Sequence, residues 1–273
     1  MLGFLNKSKK NNKDSKESKE SIDDNVKIAI RDLTVILGNR KILDKTSLDI
    51  HTGKTVAVMG LSGMGKSTLL RSIIRLLEPE GGQIFFEGKD ILQMNQHKLD
   101  ETLKNIGMVF QKGALFDSMT IAENVGFGLK EHTTMKPKEI LEKVSKTLEI
   151  VDLAGREDNM PSELSGGMQK RASLARAICY NPEVVLYDEP TTGLDPIICN
   201  VINKLIMDMQ KRFKVTSVVV THDLESARMV ADEIMMLHEG KIIERGSPDN
   251  FFNSTNPIIQ QFVKGSSEGP IKV

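Results

Sequence analysis

The sequence predicts an α/β fold: a parallel sheet core carrying an antiparallel β subdomain and a helical subdomain. Three observations point to it. The runs TVAVMG (Thr55 to Gly60), VVLYDEP (Val184 to Pro190) and TSVVVTHD (Thr216 to Asp223) are short and unbroken in apolar character, which is how strands buried on both faces of a parallel sheet read. Helical patterns separate them, giving α/β alternation. Near the start, by contrast, Ile28, Ile30, Leu33, Val35 and Leu37 approximate a period of two and are followed by Leu48 and Ile50, the mark of antiparallel strands with one wet face.

Composition bounds the function. With 273 residues and 39% hydrophobic content, the chain can bury a full core as one large domain or as a core plus a small subdomain. Its 37 basic and 37 acidic side chains cancel, so no global field attracts a polyanion and nucleic acid is not an expected partner. Cys179 and Cys199 share no CxxC spacing and read as free cytosolic thiols. No stretch approaches the ~18 apolar residues of a membrane span, and MLGFL is too short for a signal-peptide core. Gly3 stands one position too late for N-myristoylation. The chain itself is expected to stay in water.

In order along the chain, Asn6 to Asn25 is Lys, Ser, Asn, Glu and Asp almost without apolar residues, which cannot repay the entropy of ordering. Residues 1–25 are therefore expected to form a disordered polar tail, and the domain proper to run from 26 to 250. STLLRSIIRLL, after the first buried strand, reads as a helix. Between Thr120 and Leu153 the pattern is helical, with Ile140, Leu141, Val144, Leu148 and Val151 on one apolar stripe. A helical subdomain is placed at about 112–180. After Glu233, IMMLHEGKIIERGSP reads as a hairpin turning at Glu239-Gly240. NPIIQQFVKGSSEGPIKV closes the chain, so 251–273 is a C-terminal helix and tail.

The chemistry starts at GLSGMGKST, which fits G-x-x-x-x-G-K-[ST] between a buried strand and a helix. Along Gly60, Leu61, Ser62, Gly63, Met64 and Gly65 the glycines let backbone N–H groups curl around phosphate oxygens, and the helix N-terminus adds its dipole. Lys66 is expected to reach the β- and γ-phosphates and Ser67 to hold Mg²⁺, with Thr68 completing the motif. Asp188 closes VVLYD as the second metal contact. Glu189, one residue further, is placed to orient an attacking water as general base. His222 closes VVVTH and brings an imidazole near the γ-phosphate. Gln111 ends IGMVFQ, where its amide touches either Mg²⁺ or the water. His51, His97, His132 and His238 lie in polar or irregular context and receive no role.

GLSGMGKST, VFQ, LSGGM (Leu164 to Met168), VVLYDE, GLD (Gly193 to Asp195) and the TH ending in His222 resemble, in order and spacing, the ATP-binding subunits of ABC transporters. The likeness spans Val26 to about Gly246. It implies a P-loop NTPase (RecA-like) core, ATP and Mg²⁺ as ligands, and hydrolysis. It names the parts as Walker A loop, Q-loop, signature, Walker B, D-loop and H-loop. It also implies that two copies pack head to tail, each ATP lying between one chain's Walker A loop and the other's signature. Ser165, Gly166 and Gly167 then present a hydroxyl and unshielded N–H groups to the partner's γ-phosphate, and Asp195 lies at the same interface.

Met168 where most members have Gln, the phrase QKGALFDSMTIAENVGFGL, and the FVxGxxxGP ending (Phe262 to Pro270) are similar to the Mla-type ATPases that energise phospholipid transport. That subfamily implies a permease subunit, a lipid-binding subunit of the mammalian-cell-entry class, and a peripheral place on the cytoplasmic face of the inner membrane. A permease helix is expected in a groove near Gln111 and Gly113 to Ser118. Leu37, ahead of Gly38, takes the position where many members stack adenine on an aromatic ring. Ile258, Ile259, Phe262 and Val263 mark the C-terminal segment as docked, with the neighbouring ATPase as one surface for it. Two other readings compete: an importer ATPase for a small polar solute, and a soluble ABC-type ATPase of DNA repair or translation. The second ordinarily has a coiled-coil or zinc insertion that this sequence lacks.

Overall fold

A computed structural model describes residues 23 to 272. The polar tail expected over 1–25 therefore lies almost wholly outside the described residues. In chain order the elements are β1 (Val26–Leu37), β2 (Arg40–His51), β3 (Thr55–Met59), α1 (Lys66–Ile73), β4 (Gly81–Phe86), β5 (Lys89–Asp90), α2 (Gln96–Leu103), β6 (Ile106–Val109), α3 (Ile121–His132) and α4 (Pro137–Ile150). They continue with α5 (Gly166–Ile178), β7 (Val184–Asp188), α6 (Pro196–Phe213), β8 (Thr216–Thr221), α7 (Leu224–Val230), β9 (Glu233–His238), β10 (Lys241–Gly246), α8 (Pro248–Phe252) and α9 (Pro257–Lys264).

The strands form two sheets, one in the order β2-β1-β4-β5 and one in the order β10-β9-β3-β8-β7-β6. The first is antiparallel throughout. In the second, β9, β3, β8, β7 and β6 run parallel and β10 returns antiparallel at the edge. The three apolar runs are the three central strands, and every residue of β3, β7 and β8 is buried. Alternate residues serve opposite faces. Val56, Val58, Val184, Leu186, Val218 and Val220 join α1 and the antiparallel sheet in one core. Val185, Tyr187 and Val219 face a second core built with α3 to α6. Ala57 and Met59 face a third, with Ile234, Met236, Phe251 and Ile259. Unbroken apolarity is what two buried faces demand.

The hairpin expected at Glu239-Gly240 is present, with both residues at positive φ (47° and 74°) between Lys241 and His238, as a two-residue turn with right-handed twist requires. Gly240 has a second duty. Its carbonyl accepts from the Asp44 amide and the Thr46 hydroxyl, and a Cβ there would stand 2.8 Å from the Ile42 carbonyl oxygen. The turn thus joins the parallel sheet to β2.

Four details differ from the sequence pattern. The wet face of β1 exists only in its second half, because Val26 to Ile30 are all buried. Lys27 is tolerated there through ion pairs of 2.6 Å to Glu87 and 2.6 Å to Glu183. The helix after the glycine loop ends at Ile73 rather than Leu77, since Arg75 takes a left-handed conformation at φ 52° and Leu76 turns out to 63% exposure. On α4 Val144 and Leu148 are buried, as is Val151 just past its end, but Leu141 is 51% exposed, so the stripe is narrower than the spacing implied. The C-terminal segment packs on its own chain, Phe251 and Ile259 lying in one core with Ala57, Met59, Ile234 and Met236, and its tail folds back on α9, the Ile271 amide donating to Gln261 Oε1 (2.7 Å) and Gln261 Nε2 to the Ile271 carbonyl (3.1 Å).

Candidate functional site

The loop Gly60 to Gly65 leaves β3 and enters α1. It runs hard against β9, where a Cβ on Gly60 would lie 2.4 Å from the Leu237 carbonyl oxygen, so only glycine fits. Ser62 and Gly63 stand exposed at the tip, with Leu61 and Met64 half-buried beside them. Lys66 opens α1 with its side chain 6% exposed and its ammonium folded back over the loop, donating to the carbonyls of Gly60 (2.8 Å) and Leu61 (3.1 Å). Thr68 is half-buried in the first turn of α1.

Ser67 and Asp188 meet as expected for a metal pair: the Ser67 hydroxyl donates to Asp188 Oδ1 at 2.6 Å. A hydroxyl and a carboxylate on adjoining elements form a hard-oxygen set that fits Mg²⁺. Among the described residues no group of three or more His, Cys, Asp or Glu could hold a metal.

Glu189 is the convergence point. It follows β7 in a left-handed conformation, φ 49°, which costs a non-glycine residue about 1–3 kcal/mol, and its amide is tied to the Val220 carbonyl of β8 at 2.9 Å. Its side chain is 8% exposed, with Oε1 3.4 Å from Lys66 Nζ and Oε2 2.9 Å from His222 Nδ1. The Thr192 hydroxyl donates to Oε2, at 2.9 Å. Lys66, Ser67, Asp188, Glu189 and His222 thus come together.

Other expected residues stand apart. Ser165 is the N-cap of α5, its hydroxyl accepting from the Met168 amide at 3.4 Å. A Cβ on Gly166 would meet nothing within 4 Å, so that face of the helix start is open. Among the described residues, no hydrogen bond or ion pair joins Ser165, Gly166 or Gly167 to the Gly60–Thr68 loop. Asp195 caps α6, its Oδ1 accepting from the amides of Ile197 and Ile198. Leu37 ends β1 opposite Arg40, 44% exposed. Gln111 lies just past β6, exposed, with its carbonyl engaged by Lys170.

This arrangement sets a glycine loop, a hydroxyl–carboxylate pair and a buried glutamate side by side. Residues 43–192 match the family model described as ABC transporter. The chain belongs to the ABC transporter family. Over 245 residues it is 42% identical to the intermembrane phospholipid transport system ATP-binding protein MlaF of Haemophilus influenzae, covering 90% of this chain and 93% of that one. It is 40% identical over 246 residues to the probable ribonucleotide transport ATP-binding protein mkl of Mycobacterium leprae, covering 90% and 71%. Among solved structures it resembles the dimeric ABC transporter cassette MJ0796, with a TM-score of 0.76, 30% identity, and coverage of 81% of this chain and 98% of that one. The same cassette is also known in a dimeric post-hydrolysis state bound to ADP and Pi. As an ABC ATPase, the chain binds and hydrolyses ATP.

Two sets of contacts in this ABC ATPase had no sequence cue. From α5, Lys170 donates to the Gln111 carbonyl, Ser173 to the Gly113 carbonyl (2.8 Å), and Arg176 to the carbonyls of Ala114 (2.6 Å) and Gly113 (3.0 Å). The signature helix thereby grips the loop after β6. Burial lowers the Lys170 pKa, against the opposing pull of Asp188 and Glu189. The other contact is the Thr192 hydroxyl on Glu189. A basic residue within QKRASLARAI and a threonine in DEPTT are visible in the sequence, but their partners are fixed only by the fold.

Proposed function

We propose that this chain dimerises around two ATP molecules and drives lipid transport through a separate permease at the cytoplasmic face of a membrane. The carrying observation is the buried Glu189 carboxylate, held between His222 and Lys66 beside the Ser67–Asp188 pair. In the hydrolytic step Glu189 takes a proton from water, whose oxygen attacks the γ-phosphorus. The bond from that phosphorus to the β–γ bridging oxygen breaks, leaving ADP and phosphate. Lys66 leaves its loop carbonyls for the β- and γ-phosphate oxygens, and His222 steadies the base through Nδ1. Ser67 and Asp188 would hold Mg²⁺, which when bound would supply charge neutralisation for the phosphates.

The signature residues Ser165, Gly166 and Gly167 serve the partner copy's nucleotide, as their open face and separation from their own phosphate loop favour. Asp195 fixes the start of α6 at the same interface, and Leu37 borders the base. A permease element docks in a groove of about 850 Å³ lined by Phe110, Ala114, Phe116, Phe127 and Tyr180, with Asp100 and Glu101 at its rim. Phe116, 43% exposed, supports this. Likeness to MlaF supports phospholipid as cargo, a mammalian-cell-entry-type partner and an inner-membrane location. Among the described residues no helix is long and apolar enough to cross a membrane. Likeness to mkl, named for ribonucleotide transport, supports a second reading in which the cargo is a polar solute.

Glu189→Gln decides the hydrolytic part. ATP-bound dimers should persist while turnover nearly vanishes, and a wild-type rate would overturn the assignment. Co-purifying the membrane complex and identifying its bound molecule decides the cargo. A phospholipid supports the lipid reading; a sugar, amino acid or nucleotide overturns it and leaves the ATPase intact.

A further inference from the structure

We propose that Thr192 is a positioning residue for the hydrolytic base, fixing the Glu189 carboxylate so that only Oε1 is left to accept the water proton. The inference rests on the reading of Glu189 as that base. Glu189-Pro190-Thr191-Thr192 is a four-residue turn, closed by the Thr192 amide on the Glu189 carbonyl at 3.3 Å. Pro190 at its second position pre-sets the backbone. The same threonine then donates its hydroxyl to Glu189 Oε2 at 2.9 Å. One residue therefore holds both ends of Glu189, backbone and carboxylate.

The fixation matters because glutamate has three side-chain torsions, and a general base must stand within hydrogen-bond reach of its proton. His222 Nδ1 contacts the same oxygen at 2.9 Å, but its side chain is 50% exposed. Thr192 is half-buried and bound into the turn, which makes it the more constrained tether. On Oε2 the Thr192 hydroxyl donates and the His222 ring stands close by. Oε1 has only Lys66, at 3.4 Å, a contact beyond ordinary hydrogen-bond length. The neighbouring Thr191 provides an internal contrast. It is buried, and its hydroxyl faces the Ser226 hydroxyl at 3.4 Å instead of the site.

The test uses the full chain with Thr192→Val, which keeps the shape and removes the donor, and Thr192→Ser, which keeps the donor. Hydrolysis is resolved into kcat and KM, and ATP affinity is measured separately with a fluorescent ATP analogue. Thr192→Val should lower kcat roughly 10- to 100-fold, the scale of a small misplacement of a reacting group, at unchanged ATP affinity. Thr192→Ser should stay within about threefold of wild type. A wild-type kcat in Thr192→Val, or an equal loss in both variants, overturns the proposal. If the valine variant fails to bind ATP, Thr192→Ala takes its place under the same criteria. Because Thr192 acts through the carboxylate, adding Thr192→Val to Glu189→Gln should leave the residual rate unchanged, and a further fall overturns the proposal. A fully active Glu189→Gln would instead remove the base reading itself.

Discussion

Lys66 is held where only its own ammonium serves. Its chain is buried, its charge rests on two loop carbonyls, and its counter-charge is Glu189 at 3.4 Å. Lys66→Ala removes one preorganised donor from the transferring phosphates. Turnover should fall by roughly 10²–10³, about 2.7–4 kcal/mol, or more, and a steady-state assay at saturating ATP would expose an unaffected rate. Leu37 makes a different prediction. On the proposed reading Leu37 borders the base and offers no ring to stack on it, so GTP and ATP should be used with comparable kcat/KM. Leu37→Tyr should then tighten binding of both purine nucleotides by about 0.5–1.5 kcal/mol of added aromatic contact, and strict ATP preference in the parent chain would refute the relaxed selectivity. These residues were legible in the sequence because glycine spacing and strand ends mark them. Lys170 and Thr192 were not. Lys170 reaches a carbonyl 59 positions away, and nothing in DEPTT says which threonine hydroxyl turns toward the carboxylate.

At the scale of elements, α5 matters as a lever: its N-terminus carries the signature and its next two turns hold the loop after β6 through Lys170, Ser173 and Arg176. Lys170→Met keeps the bulk and removes the donor from the Gln111 carbonyl, at a cost of about 0.5–1.5 kcal/mol because the exposed Gln111 can be hydrated instead. The expected outcome is retained ATP binding with transport lowered more than basal hydrolysis in the reconstituted complex; an equal loss in both would place the defect in the nucleotide site. Lys27 ties β1 to Glu87 and to Glu183 ahead of β7. Burial lowers its pKa, but the two carboxylates outweigh that and raise it, while the bond to Lys27 holds Glu87 below its ordinary 4.5. A lowered carboxylate stabilises the fold above its ordinary pKa, and that contribution disappears as pH falls through the lowered value. The melting-temperature gap between wild type and Lys27→Met should therefore shrink on going from pH 6 towards strongly acid solution, and a gap that widened would contradict the pairing. The central strands were readable because burial on both faces leaves no polar position. β4 opens on two glycines and β5 has two residues, too little pattern for either, and α1 ends early because Arg75 turns left-handed, which propensity does not reveal.

The whole molecule carries equal numbers of acidic and basic side chains, so association of two copies faces little net repulsion. Its phosphate loop and its signature helix start are both present, yet no hydrogen bond or ion pair joins them among the described residues. On the proposed reading each becomes part of a working site only across a two-fold axis, and this can be tested by mixing. Ser165→Ala spoils the signature half and leaves the Walker half sound; Glu189→Gln does the reverse. Either variant alone should be nearly inactive. In an equal mixture that exchanges subunits, about half of the dimers are hybrid, each with one intact site and one doubly defective one, as two-fold symmetry dictates. Activity should recover to roughly one quarter of wild type if the two sites act independently. The wild-type protein supplies the companion measurement, since its rate per chain should fall on dilution below the dimerisation constant. A mixture that stays inactive, together with a rate per chain independent of concentration, would mean that each copy cleaves ATP with its own signature.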